Sequence, residues 1–169
     1  FMNSKAAKRP APFNKSEIPA ITNQIKTMQQ QLINFLQGTG VDNRGRTIKD
    51  IIEWSDGQLE SCHDYIQWVF PNRCRSHFIL GAPTLDDEAV TQIKGCTTAI
   101  KNVRQMLMRL YSFYTFEVTN FKDASYQLDI SPNTPMPWWI TSKNHNYLRL
   151  TRILLTLKDL ELHDDLLAL

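Results

Sequence analysis

Two groups of polar side chains have the types and spacings from which a site can be built. The first lies in LESCHDYIQWVFP, residues 59–71, where Glu60, His63, Asp64 and Gln67 recur at steps of three and four or sit beside one another. At about 100° per residue, these positions share one flank of a helix. The second is His145, Arg149, Arg152 and Thr156, also three and four apart. Two guanidinium groups and a histidine can hold a carboxylate or a phosphate in a forked, two-point grip. The carboxylates of the first group can instead close an internal seam, with Glu60 or Asp64 about 4 Å from Arg149 or Arg152. His63 with Glu60 or Asp64 also has the composition of an acid–base pair.

Other chemistries find less support. Glu60-x-x-His63 has the spacing of one half of a di-iron helical site, but such sites need a second copy and further carboxylates. No second E-x-x-H occurs, and Glu161 and His163 are two apart, on different helix faces. No metal and no cofactor are expected. Cys62 adjoins His63, yet neighbouring helical residues do not face each other, so no catalytic nucleophile is assigned. The loop GTGVDNRGR, residues 38–46, lacks the spacing of a phosphate-binding loop.

These groups need helices to position them. In 59–71, Leu59, Cys62, Ile66 and Val69 form an apolar face, with Tyr65 and Trp68 on other sides. The pattern predicts one central, buried helix stopped by Pro71. The second group belongs to a helix over 146–159, with Leu150, Ile153, Leu154, Leu157 and Leu160 on one apolar face and Leu148 and Leu155 on another. Both polar stripes therefore interrupt apolar helices. Buried charge must be paired, so the two helices are expected side by side with their stripes in contact.

The remaining chain is read as mostly helical. Ser16 caps a helix over 17–37 whose Ile18, Ile21, Ile25, Met28, Leu32 and Phe35 should pack on the domain itself, with Gly38 and Gly40 ending it. Thr47 and Asp50 form a capping box for a short helix over 48–54, and Ser55 or Asp56 caps the next. Further helices are expected to open at Thr84, to break at Gly95 and to run over 97–115, with Ile100, Val103, Leu107, Leu110 and Tyr114 inward. Residues 117–141 alternate weakly and suggest a short strand or hairpin arm. Pro132, Pro135 and Pro137 should hold the next stretch extended, with Trp138 and Trp139 on opposite sides of it. Asp164 is expected to cap a final turn, DLLAL.

The fold class is thus all-α, a single compact multi-helix domain over 16–169, preceded by a flexible basic arm over 1–15 with Lys5, Lys8 and Arg9. A net charge of +2 argues against a dedicated nucleic-acid binder, for which Arg73, Arg75 and the arm would be the contacts. Three scattered cysteines suit a reducing compartment. With no run of ~20 apolar residues and no apolar leader, neither a membrane span nor a classical secretory signal is expected. The expected location is the cytoplasm, or the nucleus if the source is eukaryotic.

Two stretches resemble the conserved region of the opioid growth factor receptor family: residues 59–71, with the core HDYIQW-x-FP, and NHNYLRLTRILLTLKDLEL at 144–162. APTLDDEAVTQIK at 82–94 and IIEWSDGQ at 51–58 are similar to the segments between and before them. Val69 stands where the family has leucine, and Asn72 and Arg73 follow the FP where proline- and leucine-like residues are expected. The repetitive tail of the animal receptors does not occur in the sequence, so tail-dependent properties are not expected of it. The resemblance implies an α-helical domain and a peptide ligand of the enkephalin-like kind, and carries over no binding residue. The expected function is a non-enzymatic domain binding a peptide or small anionic ligand between the two motif helices. His63, Gln67, Trp68, His145, Arg149 and Arg152 are the ligand contacts and Glu60 and Asp64 the structural ion pairs; an enzyme using His63 with Glu60 or Asp64 is the alternative.

Overall fold

The computed structural model describes residues 18–74, 81–122, 125–130 and 137–169. The expectations for the basic arm, Ser16, Arg75, Pro132 and Pro135 lie outside those residues. The described chain runs α1 (Ile18–Gln37), α2 (Ile48–Ile52), α3 (Asp56–Ser61), α4 (Ile66–Val69), α5 (Asp87–Gly95), α6 (Thr97–Phe113), β1 (Phe116–Lys122), β2 (Ser125–Ile130), α7 (Asn146–Asp159) and α8 (His163–Ala168). It is helical apart from one antiparallel hairpin, in which Phe116 pairs with Ile130 and Val118 with Leu128. The all-α class holds, and the hairpin falls in the segment expected to alternate.

Local signals set several boundaries. Thr47 and Asp50 exchange the two hydrogen bonds of a capping box, and Ser55 does the same with Gln58. Gly38, at φ 79°, carries the chain out of α1, and a Cβ on Gly40 would stand 2.8 Å from that of Asn34. The helix expected to open at Thr84 starts later, because Asp86 is the residue whose carboxylate takes the Ala89 amide, at 2.8 Å. The last helix likewise begins at His163, so Asp164 lies within its first turn rather than capping it.

The core gathers around α6, which packs against α1, α2, α5 and β1. Val103, Met106, Leu107, Leu110 and Phe113 are buried along it. Trp139 fills the core beside it, its indole N–H donating to the Tyr114 carbonyl at 3.0 Å, while Trp138 stands 46% exposed. That division is the one expected of two neighbouring tryptophans in an extended segment.

Three elements depart from expectation. Residues 59–71 do not form one helix: α3 ends at Ser61, Cys62 is extended, and the chain re-enters a single turn, α4. The apolar stripe of α1 is only half used. Leu32, Ile33, Phe35 and Leu36 are buried, but Ile21 and Ile25 are 40% and 46% exposed. A helix of 20 residues is about 30 Å long, and its partners α4, α5 and α6 meet only the later turns. Finally, α7 turns part of its polar stripe inward. Asn146, Arg149 and Thr156 are buried, while Leu148 and Leu155, expected to form a second packed face, reach the surface. The site explains this inversion.

Candidate functional site

The two motif segments lie against each other, and Arg149 joins them. Its side chain projects from the second turn of α7 to the place where the chain leaves α3. The last carbonyls of any helix lack intrahelical donors. Here Arg149 Nη1 donates to the Leu59 carbonyl at 2.9 Å, and Nη2 donates to those of Glu60 at 3.2 Å and Cys62 at 2.9 Å. One cation thus caps α3 and holds the extended residue after it, which is why the helix stops there. Nη1 also reaches Asn146 Oδ1 at 3.2 Å and lies 3.7 Å from Glu60 Oε2, so the expected pairing of Glu60 with Arg149 is present. The guanidinium sits 5.6 Å from the centre of the Tyr65 ring, whose buried phenol is pushed up to about 12 by desolvation.

Around this buried cation lies a more open edge. His145 Nε2 is 3.2 Å from Glu60 Oε1, though not aligned as a hydrogen bond. The rings of His63 and His145 meet edge to face, 5.0 Å apart. His63 Nδ1 lies 3.2 Å from Arg149 Nη2. Arginine can only donate, so Nδ1 must be the acceptor and the neutral ring carries its proton on Nε2. Desolvation lowers the His63 pKa below 6.5, with Arg149 and His145 adding to the effect against the carboxylates of Glu60 and Asp64. The folded protein therefore binds this proton less readily than the unfolded chain. Stability from the neutral ring is complete above about pH 6.5 and declines as pH falls through the lowered folded value. Melting curves between roughly pH 7.5 and 5.5 should show a small acid-dependent loss, reduced in His63→Asn. A His63 that titrates above 6.5 by NMR would contradict the assignment.

The other residues expected at the site are placed as follows. Asp64 turns to the 38–46 loop: it pairs with Arg44 at 3.0 Å and Arg46 at 2.9 Å, neither of which was foreseen. Gln67 is buried and its Oε1 has no hydrogen-bond partner among the described residues. Trp68 is in the core, 1% exposed, with its ring edge-on to Phe35. Arg152 is half-buried one turn beyond Arg149. Among the described residues its guanidinium makes one hydrogen bond, a long one of 3.4 Å to the Phe70 carbonyl, and burial lowers its pKa. The neighbouring Thr156 hydroxyl donates to the Pro71 carbonyl at 2.9 Å.

Sequence reasoning also missed Asp42 and Asn146, which hold this region. Asp42, buried in the loop, accepts from the backbone of Arg44 and Arg46 and from Arg46 Nε at 2.7 Å. Arg46 then stands over Trp54, 5.3 Å from its ring centre. Asn146 is fully buried; its amide donates to Glu60 Oε2 at 3.2 Å, and its carbonyl accepts from Tyr114 and Arg149. The available signal was an asparagine at the start of an apolar helix, where polar side chains commonly serve backbone groups. Among the described residues no group of three or more His, Cys, Asp and Glu side chains could hold a metal ion.

Residues 22–167 match the conserved region of the opioid growth factor receptor. The chain belongs to that family. It is 34% identical over 125 residues to the opioid growth factor receptor of Rattus norvegicus, covering 70% of this chain and 20% of that protein. It is 29% identical over 120 residues to opioid growth factor receptor-like protein 1 of Xenopus tropicalis, covering 69% and 23%. The chain thus corresponds to less than a quarter of either opioid growth factor receptor relative. No solved structure matches it. Among the described residues, no helix in this member of the opioid growth factor receptor family is long and apolar enough to cross a membrane.

Proposed function

We propose that this domain is a non-enzymatic binding module that takes a peptide, with an anionic group of that ligand held by Arg152. The supporting observation is an imbalance within the seam. Every Nη donor of Arg149 is committed to acceptors of the protein, whereas half-buried Arg152 has one long bond and no carboxylate partner among the described residues. A partly desolvated cation lacking a counter-charge is a favourable place for an incoming carboxylate, and a forked one most of all. His63 and His145 offer hydrogen bonds along the same seam. Gln67 contributes from below, Trp68 supports it from the core, and Arg149 fixes the backbone. A peptide as ligand follows from the relatives' names, which speak of an opioid growth factor.

The enzymatic alternative would need His63 to accept a substrate proton. Its Nδ1 lone pair is directed to Arg149, which leaves only an N–H on the other ring nitrogen. That arrangement favours the binding reading. Isothermal titration with enkephalin-like peptides tests it. Arg152→Gln should weaken binding by about tenfold or more, amidation of the peptide carboxylate should do the same, and the melting temperature should hardly move. Equal affinity of Arg152→Gln and wild type would remove Arg152 from the ligand site.

A further inference from the structure

The described fold leaves a second surface unused, a groove between α2 and the outer face of α6. It is open to solvent and offers about 1050 Å³, just above the roughly 300–1,000 Å³ common for small-molecule sites. Its floor is apolar: Ile52 of α2 and Ile100 and Met108 of α6 are half-buried there. Its rim is basic, with Lys49, Lys101, Arg104 and Arg109 against Glu53 alone.

Two of those cations are neutralised from behind. Arg104 pairs with Asp165 at 2.8 Å, and Arg109 with Asp56 at 2.7 Å. The two lysines are available, one on each wall. The Lys49 side chain is 82% exposed and only 3.9 Å from Glu53, a surface pair that holds it weakly. Lys101 is exposed, with no hydrogen bond or ion pair among the described residues.

We propose that this groove docks an amphipathic helix of another protein, one whose apolar stripe is flanked by aspartate and glutamate. Apolar anchors at i, i+3, i+4 and i+7 suit a groove walled by helices, and acidic flanks would meet Lys49 and Lys101. Charge also selects against other occupants. A second copy laid face to face would bring two basic rims together, and the chain's own first fifteen residues carry Lys5, Lys8, Arg9 and Lys15 without an acid. The surface is separate from the seam and does not depend on the peptide-binding reading.

The test uses the full chain and a designed amphipathic peptide of about 18 residues, long enough to hold a helix, with leucines on one face and glutamates beside them. Heteronuclear NMR should show shifts at Ile52, Ile100 and Met108. The affinity should fall with added salt, and a peptide with lysines in place of the glutamates should bind at least about tenfold more weakly. Lys49→Glu/Lys101→Glu, which alters only exposed side chains, should reduce binding by a similar factor without a change in fold. Met108→Glu should abolish it, and Arg152→Gln should leave it intact. Absence of shifts at millimolar peptide, shifts confined to the seam or to the exposed end of α1, indifference to the lysine reversals, or self-association through this face would each overturn the proposal.

Discussion

Arg149→Lys should destabilise the domain by about 3 kcal/mol, and Arg149→Met by somewhat more. The expectation follows from what the guanidinium does. It serves the carbonyls of Leu59, Glu60 and Cys62, together with Asn146 and His63, while only 4% exposed. Lysine keeps the charge but presents it at one point, and three donors on one nitrogen cannot span carbonyls that the fork reaches from two. At least one carbonyl of α3 would then be buried without a donor, and the new ammonium would be incompletely solvated. Each such loss costs about 1–3 kcal/mol. Methionine fills much of the volume but leaves all those carbonyls unserved and removes the counter-charge of Glu60. For a chain of this size, 3 kcal/mol corresponds to a fall of roughly 6–12 °C in melting temperature. Hydrogen exchange should locate the damage in residues 56–65. If Arg149→Lys unfolds in urea within about 1 kcal/mol of wild type, the guanidinium does not hold the turn.

This residue also marks where sequence reasoning stops. Short-range chemistry was legible. Thr47 with Asp50, Ser55 ahead of its helix, the stop at Pro71 and the break at Gly95 each depend on residues a few positions apart. The contact between the motif segments was legible for a different reason: a polar stripe on an apolar helix needs a partner, and the other motif carried one of opposite charge. The break at Cys62 was not. LESCHDYIQW holds no proline or glycine to break a helix, only a run of modest helix formers; the competing acceptor-hungry group arrives from α7, far along the chain. Asp64 is the ion-pair residue expected, but its partners were not legible for a related reason. Glu60, His63 and Asp64 share a flank only if the helix continues, and once it breaks Asp64 swings to Arg44 and Arg46. The α1 stripe reads alike along its length, so its periodicity could not tell the turns that meet α6 from those that overrun it.

Asp165→Asn should cost about 3 kcal/mol, chiefly at the C-terminal end of the fold. Asp165 is 2% exposed within α8 and joins three elements. Its Oδ1 accepts from the Tyr126 hydroxyl of β2 at 2.9 Å, and its Oδ2 accepts from Arg104 Nε of α6 at 2.8 Å. Because Tyr126 donates its proton to the carboxylate, its oxygen is left to accept from Tyr111, 3.0 Å away. Burial pushes the Tyr111 phenol up to about 12, so it remains a donor at any physiological pH. Asparagine is isosteric but supplies one acceptor and one donor. If its N–H₂ faces Arg104, two donors confront each other. If it faces Tyr126, that hydroxyl must reverse and accept, and Tyr111 loses its acceptor. Either way the Arg104 cation loses its charged partner. Arg104→Met should cost less, about 1 kcal/mol, because that side chain is 47% exposed and water replaces part of its interaction. The double variant should cost less than the two single losses added, since removing the second partner relieves the stranded first. Faster amide exchange confined to α8 and β2, which pack together, would locate the effect. Strict additivity in the double-mutant cycle would show that the two side chains act independently, contrary to their direct contact at 2.8 Å.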